Sequence, residues 1–132
     1  MTNAQIISDI YDAFGKGDIP TVLGAMDPGM TWDEAEGFMY GGRYFGPNGI
    51  LEGLFKKLAT EWDGFTVSPE KIVDGGDGNV VVFGRYSGTY LPTEKSMSVP
   101  FAHSWTLVDG KTTSFVQYVD TLVIAKQLGL IG

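Results

Sequence analysis

The chain has 132 residues, 43% of them hydrophobic and 19% charged, a balance that describes one folded domain rather than a disordered segment. Sixteen acidic residues against nine basic ones leave a formal charge of -7, which argues against nucleic acid or an anionic membrane surface as the partner. With no cysteine and a single histidine, neither disulfides, thiolate chemistry nor a zinc site is expected.

The opening stretch MTNAQIISDI lacks a basic n-region and a long apolar core, so no signal peptide is expected. No apolar run is long enough to span a bilayer, and cytoplasmic residence is the default expectation. Residues 1–132 read as a single domain, without repeats, low-complexity tracts or linkers.

Ile6, Ile7, Ile10, Tyr11 and Phe14 recur at helical spacing and predict a helix from Asn3 to Phe14, ended by Gly15 or Gly17. Asp18 is placed to cap a short second helix, Ile19 to Met26, whose first turn tolerates Pro20. Asp27-Pro28-Gly29 reads as a turn and Met30 to Glu34 as a short strand. Ala35 to Gly46 is rich in glycine and aromatics and has no period. Its Phe38, Tyr40, Tyr44 and Phe45 suit a lid or rim over a cavity. Pro47 fits the first position of a third helix. Ile50, Leu51, Leu54, Phe55 and Leu58 give that helix one apolar stripe, and Glu52, Lys56, Lys57 and Glu61 read as solvated charges.

Strands follow: Phe65 to Asp74, closed by Gly75-Gly76-Asp77-Gly78, then Val80 to Tyr90. After a loop at Leu91 to Ser96 comes a hairpin of Met97 to Val108 and Lys111 to Val119. Asp109-Gly110 supplies the positive φ angles of its two-residue turn. Asp120 precedes the apolar run of a closing helix, which Gly129 stops. Helices first and antiparallel strands after indicate an α+β domain with its helices on one face. Gly84 and Gly88 inside a strand let the sheet bend. A curved sheet wrapped over three N-terminal helices encloses a cone-shaped cavity.

Strand side chains alternate between faces. The odd positions of Met97 to Val108 are apolar except His103, and Gln117 is the polar exception beside Phe115 and Val119. A buried polar side chain needs a partner or a ligand, so these two positions mark a candidate site. The preceding strand splits into an odd set containing Arg85 and an even set containing Tyr86, and its pattern does not choose between them. With the odd set inward, Arg85 joins His103 and Gln117. Trp32 and Glu34 share a face and reach the same space.

Each residue has a plain structural reading beside the functional one. His103 is a satisfied core residue or a group that titrates near neutrality. Arg85 pairs with Glu34 or Glu36, or contacts a ligand. Glu34 is a solvated strand-end charge, or a general base if desolvation raises its pKa. Gln117 cannot be an acid or base but can orient a carbonyl or a water. Trp32 and Trp105 are core or cavity wall. On the even face, Tyr86, Tyr90, Val116 and Tyr118 form an outer apolar patch, for which a symmetric homodimer is the simplest expectation.

Several stretches carry a resemblance: Ile10 to Asp18, Gly42-Arg43-Tyr44-Phe45-Gly46-Pro47, Gln117 to Thr121 and Gln127-Leu128-Gly129. With the order of elements, they make the whole chain resemble the SnoaL-like branch of the nuclear-transport-factor-2-like superfamily. The resemblance implies a cone-shaped α+β barrel with a deep apolar pocket, commonly a homodimer, and inward odd positions on the last three strands. It implies no single activity, since the superfamily holds ketosteroid isomerases, polyketide cyclases, limonene epoxide hydrolases, dehydratases and non-catalytic binding domains. Against the cyclases, Gln117 stands where the last-strand Asp would be, and His103 matches the histidine of the strand before. Against the epoxide hydrolases, Arg85-Tyr86-Ser87 keeps the Arg of an Arg-x-Asp pair and loses the carboxylate. Against the ketosteroid isomerases, Glu34 or Glu36 stands in for the first-strand base.

Two functions remain. In one, Trp32, Tyr40, Phe101 and Trp105 hold a small apolar, carbonyl-containing ligand. Glu34 or His103 then moves a proton, while Arg85 or Gln117 stabilises the enolate oxygen in cofactor-free isomerase or cyclase chemistry. In the other, the same pocket binds without turnover; a dimerisation domain and a divergent epoxide hydrolase or dehydratase stand as further alternatives.

Overall fold

Thr2 and Gln5 open the first helix with a reciprocal capping box. Gln5 N–H donates to Thr2 Oγ1 at 3.1 Å, and Thr2 N–H donates to Gln5 Oε1 at 2.8 Å. This helix, α1 (Asn3–Gly15), buries Ile7, Ile10, Tyr11 and Ala13. Asp18 caps α2 (Ile19–Gly24), accepting the Thr21 N–H at 3.3 Å. α2 ends before Met26 because that residue already belongs to β1 (Met26–Glu34). The structure, a computed structural model, describes residues 1–131.

The expected Asp27-Pro28-Gly29 turn survives within β1 as a register break between Met26 and Thr31, where Asp27 Oδ2 accepts the Gly29 N–H at 2.7 Å. Residues 35–41 then fold back, and β2 (Gly42–Phe45) pairs with β1, the facing Asp33 and Arg43 forming an ion pair at 2.7 Å. Residues 46–60 form one helical rod in three parts: α3 (Gly46–Ile50), a π-helical turn at Leu51–Phe55, and α4 (Lys56–Thr60). A Cβ on Gly53 would come within 2.8 Å of the Tyr44 ring, so the π turn seats closely on β2 only with glycine there.

β3 (Trp62–Gly76), β4 (Asn79–Tyr90), β5 (Lys95–Val108) and β6 (Lys111–Val119) follow as antiparallel neighbours. The full order is β2-β1-β6-β5-β4-β3. β1 lies parallel to β6, the one parallel pair among the described residues in a sheet that is otherwise antiparallel as expected. Strands so far apart in sequence share no turn that would fix their relative direction. The β5–β6 hairpin turns through Asp109 and Gly110 at φ 50° and 77°, as a two-residue turn of the mirror-image type requires. Asp120 Oδ1 accepts the Val123 N–H at 3.0 Å and opens α5 (Thr121–Gln127). α1 packs on β3 and β4, α3 packs on β1, and α5 packs on β5. Among the described residues, no helix is long and apolar enough to cross a membrane.

Register settles what alternation left open on β4. Directly facing residues of an antiparallel pair point to the same side. Val82 faces His103, Gly84 faces Phe101 and Tyr86 faces Val99, so the even set points inward with the odd set of β5. Two expectations are corrected together. Arg85 lies on the outer surface, its Nη1 donating to Ser98 Oγ at 3.2 Å, and Tyr86 leaves the outer patch for the core. The outer face keeps half-buried Val116 and gains Phe83, 45% exposed, beside Tyr118, 60% exposed.

At Gly84 the neighbouring strands leave no room for a side chain. A Cβ there would sit 2.3 Å from Ser68 O and 2.5 Å from the Phe101 ring. Gly84→Ala is expected to lower stability by about 1–3 kcal/mol, the usual scale of core overpacking. Urea denaturation measures it, and an unchanged midpoint would show that β3 and β4 separate freely at this point.

Candidate functional site

Tyr11 of α1, Trp32 and Glu34 of β1, Tyr86 of β4, His103 and Trp105 of β5, and Phe115 and Gln117 of β6 line one inner cavity of about 50 Å³. Phe14, Leu54, Phe55 and Leu58 close its helical side, and Phe65 of β3 lines it beside them. Trp32 stacks on Phe115, its partner across the β1–β6 ladder, at 3.7 Å between centroids. Such a cavity holds about three or four water-sized groups.

A chain of hydrogen bonds crosses the cavity floor. Ala35 N–H donates to Gln117 Oε1 at 3.0 Å, which fixes the amide orientation and turns Gln117 Nε2 to donate to Tyr86 Oη at 3.0 Å. Tyr86 Oη bonds His103 Nε2, and Tyr11 Oη bonds His103 Nδ1, each at 2.5 Å. Trp105 Nε1–H donates to Tyr11 Oη at 2.9 Å. Burial holds the His103 pKa well below its ordinary value and both phenol pKa values well above theirs. The imidazole is therefore neutral and the phenols keep their protons near neutrality.

A neutral imidazole has one N–H and one lone pair. If its N–H points to Tyr11, Tyr86 donates to the other nitrogen, and the Tyr11 hydrogen is left over. In the opposite tautomer the Tyr86 hydrogen is left over. Each phenol oxygen already receives a bond from Trp105 or Gln117. In either arrangement one phenolic hydrogen is uncommitted among the described residues, on a ring that lines the cavity.

Glu34 faces the same space and is only 7% exposed. Trp32 Nε1–H donates to Oε1 at 3.0 Å, and Oε2 has no hydrogen-bond partner among the described residues. Desolvation raises its pKa from 4.5 to about 7, against the opposing pull of the Trp32 bond. A carboxyl poised there can give or take a proton at neutral pH. Among the described residues, no group of three or more metal-binding side chains comes together.

The structure thus brings together Trp32, Glu34, His103, Trp105 and Gln117, as expected, and sets three expected residues apart. Arg85 is on the outer surface. Tyr40 is buried away from the cavity, donating to Glu61 at 2.5 Å and accepting from Trp62 at 2.9 Å, so it anchors the 35–41 fold to β3. Phe101 lies behind His103, stacked at 3.9 Å between centroids, and supports the ring instead of meeting a ligand. Both nitrogens of His103 are engaged by the tyrosines, so its ring lines the cavity without a free donor or acceptor. Of the aperiodic segment, Phe38 lines the cavity, whereas Phe45 is mostly exposed. Tyr11 and Tyr86 were missed. Tyr11 did carry a signal, a hydroxyl within the apolar stripe of Ile7 and Ile10.

The family model for the SnoaL-like domain matches residues 7–115. Among solved structures, an NTF2-like protein from Burkholderia thailandensis E264 is 36% identical with a TM-score of 0.92, over 97% of this chain and 98% of that one. TerC, co-crystallised with polyporic acid, is 31% identical with a TM-score of 0.85, over 96% and 98%. An NTF2-like protein of unknown function from Burkholderia pseudomallei K96243 is 24% identical with a TM-score of 0.86, over 97% and 98%, a likeness of fold. No curated protein matches at a significant level.

The raised Glu34 pKa has a thermodynamic signature. Between 4.5 and about 7 the folded chain holds this proton more tightly than the unfolded chain. Stability therefore falls as pH rises through that window and levels off above it. The full shift corresponds to about 3 kcal/mol. Glu34→Gln is expected to remove this slope, so that its stability relative to the parent rises between pH 5 and pH 8 in urea titrations. A difference independent of pH would mean that Glu34 ionises like a solvated carboxyl.

Proposed function

The chain belongs to the SnoaL-like family of NTF2-like proteins, and on that premise we propose that it binds a flat, carbonyl-bearing small molecule and moves a proton on it. The observation that carries this reading is the pairing of an unpartnered, half-titrated carboxyl with an uncommitted phenolic hydrogen in one apolar cavity. Ionised Glu34 takes a proton from the carbon next to the carbonyl. Tyr11 or Tyr86 donates its free O–H to the oxygen as negative charge develops there. Where the ligand carries a double bond one carbon further out, Glu34 then delivers the proton to the far end of that double bond as the enolate collapses, so proton and double bond both shift without a cofactor. TerC's co-crystallised polyporic acid, a hydroxyquinone bearing phenyl rings, supports a flat aryl-substituted carbonyl compound as the ligand class.

A second reading, binding without turnover, is favoured by Gln117. It stands where the family's cyclases are expected to carry an acidic residue, and both ends of its amide are engaged.

One measurement separates the two. Aryl enones and hydroxyquinones that bind are expected to raise the melting temperature by several degrees when present at about a hundred times their Kd, a gain of roughly 2.7 kcal/mol. With a bound aryl ketone in D₂O, exchange of the hydrogens next to the carbonyl should rise with pH to a plateau above about 7. Glu34→Gln should abolish it. Binding without exchange selects the second reading, and no melting shift across the panel rejects both.

The same proposal includes assembly with a second copy through the outer sheet face, where Phe83 and Tyr118 are exposed on either side of Ala102. Tyr118→Glu is expected to convert dimer to monomer in sedimentation velocity. A dimer that persists would place the interface elsewhere.

A further inference from the structure

A second pocket, about 340 Å³, opens beside the inner cavity, and Phe14, Phe55, Leu58 and Phe65 line both. The two spaces therefore share a wall built from these four side chains. The inner space is far below the roughly 300–1,000 Å³ of pockets that enclose a whole ligand, and the outer one lies within that range. Their chemistry also differs. The inner space presents Glu34 and the two tyrosines, whereas Ile19, Leu51 and Ala59 complete an apolar wall outside. Lys56, the one cation lining the outer pocket among the described residues, is bonded to Glu52 at 2.8 Å.

Resting on the proton-moving reading above, we propose that these pockets are two halves of one ligand site. An oxygenated ring edge enters the inner cavity, and an uncharged aromatic body fills the outer pocket, with Phe14, Phe55 and Phe65 swinging aside to join them. Phe14 and Phe55 meet edge-to-face at 5.5 Å between centroids, and Phe55 meets Trp32 of the inner cavity edge-to-face at 5.4 Å, so this one ring touches both spaces. Phe55 ends the π-helical turn, a helical irregularity that recurs at functional sites. Leu51, at the start of that turn, lines the outer pocket, and Leu54 lines the inner cavity. This five-residue segment thus forms part of the wall of both spaces. The substrate class that follows is an aryl-extended ketone or enone that carries a removable hydrogen on a carbon next to its carbonyl or at the end of its conjugated system. A small ring alone leaves the outer pocket unfilled.

The test compares two probes by quenching of tryptophan fluorescence, since Trp32 and Trp105 line the inner cavity. Cyclohex-2-enone offers the inner cavity its oxygenated edge and leaves most of the outer pocket empty, whereas chalcone, an enone with two phenyl rings, fills the outer pocket as well. The wild-type chain is expected to bind chalcone at least a hundredfold more tightly. Ala59→Phe, at an exposed position on α4, should cut the ratio of chalcone to cyclohex-2-enone affinity at least tenfold by filling the outer pocket. Ile19→Phe should do the same from the opposite wall. An unchanged ratio in both variants, or cyclohex-2-enone binding as tightly as chalcone, overturns the two-part site and leaves the proton-moving reading standing. Failure of both probes to bind overturns the two together.

Discussion

A neutral imidazole buried in an apolar interior must satisfy both of its nitrogens, and much of the inner face follows from that requirement. His103 finds its partners on different elements, Tyr11 on α1 and Tyr86 on β4. Those phenols are in turn fixed by Trp105 and by Gln117, whose amide is tied to the backbone of Ala35 just beyond β1. One line of directional bonds thus runs from the first helix across β5, β4 and β6 to the end of β1. Apolar contact alone would let α1 slide or rotate on the sheet, but these bonds allow one seating, because breaking any of them leaves a buried polar group unpaired.

Glu34 behaves in the opposite way. Its neighbours satisfy one oxygen and leave the other bare, although buried polar atoms are paired nearly everywhere in folded chains. A lysine or arginine nearby would quiet the group and pull its pKa down, yet the basic side chains of this region, Arg43 and Arg85, are spent on the surface. The same burial that destabilises the carboxylate makes it a stronger base. Among the described residues the other buried side-chain atom without a partner is Thr93 Oγ1, and of the two Glu34 Oε2 is the one on a residue that lines the cavity.

Much of this was legible in the residues. The caps at Asp18 and Asp120, the Asp109-Gly110 turn, and the polar exceptions His103 and Gln117 on apolar faces all have local causes, and the structure shows each. The face of β4 was not legible, because a period of two yields two equivalent sets, and only the pairing of Val82 with His103 chooses between them. That one choice exchanged Arg85 for Tyr86 in the site. Tyr11 read as one more member of a helical stripe, since nothing local says that a residue on β5 will meet its hydroxyl. Nor does any propensity announce the π turn at Leu51–Phe55, which depends on how closely Gly53 and Tyr44 approach.

The position of β1, lodged between β2 and β6 and parallel to the latter, has a consequence for how the molecule comes into being. The strand that carries Trp32 and Glu34 is made early, yet its ladder partner is β6, near the other end of the chain, and Tyr11 waits as long for His103. Contacts of such sequence separation raise the contact order and slow folding, since the loop must close before the pairing can reward it. The hairpins of β3 to β6 join strands adjacent in sequence, whereas the site draws together residues from both ends of the chain. Until β6 is in place, the backbone N–H and C=O groups along that side of β1 lack their ladder partners, and such unpaired edges are where aggregation starts.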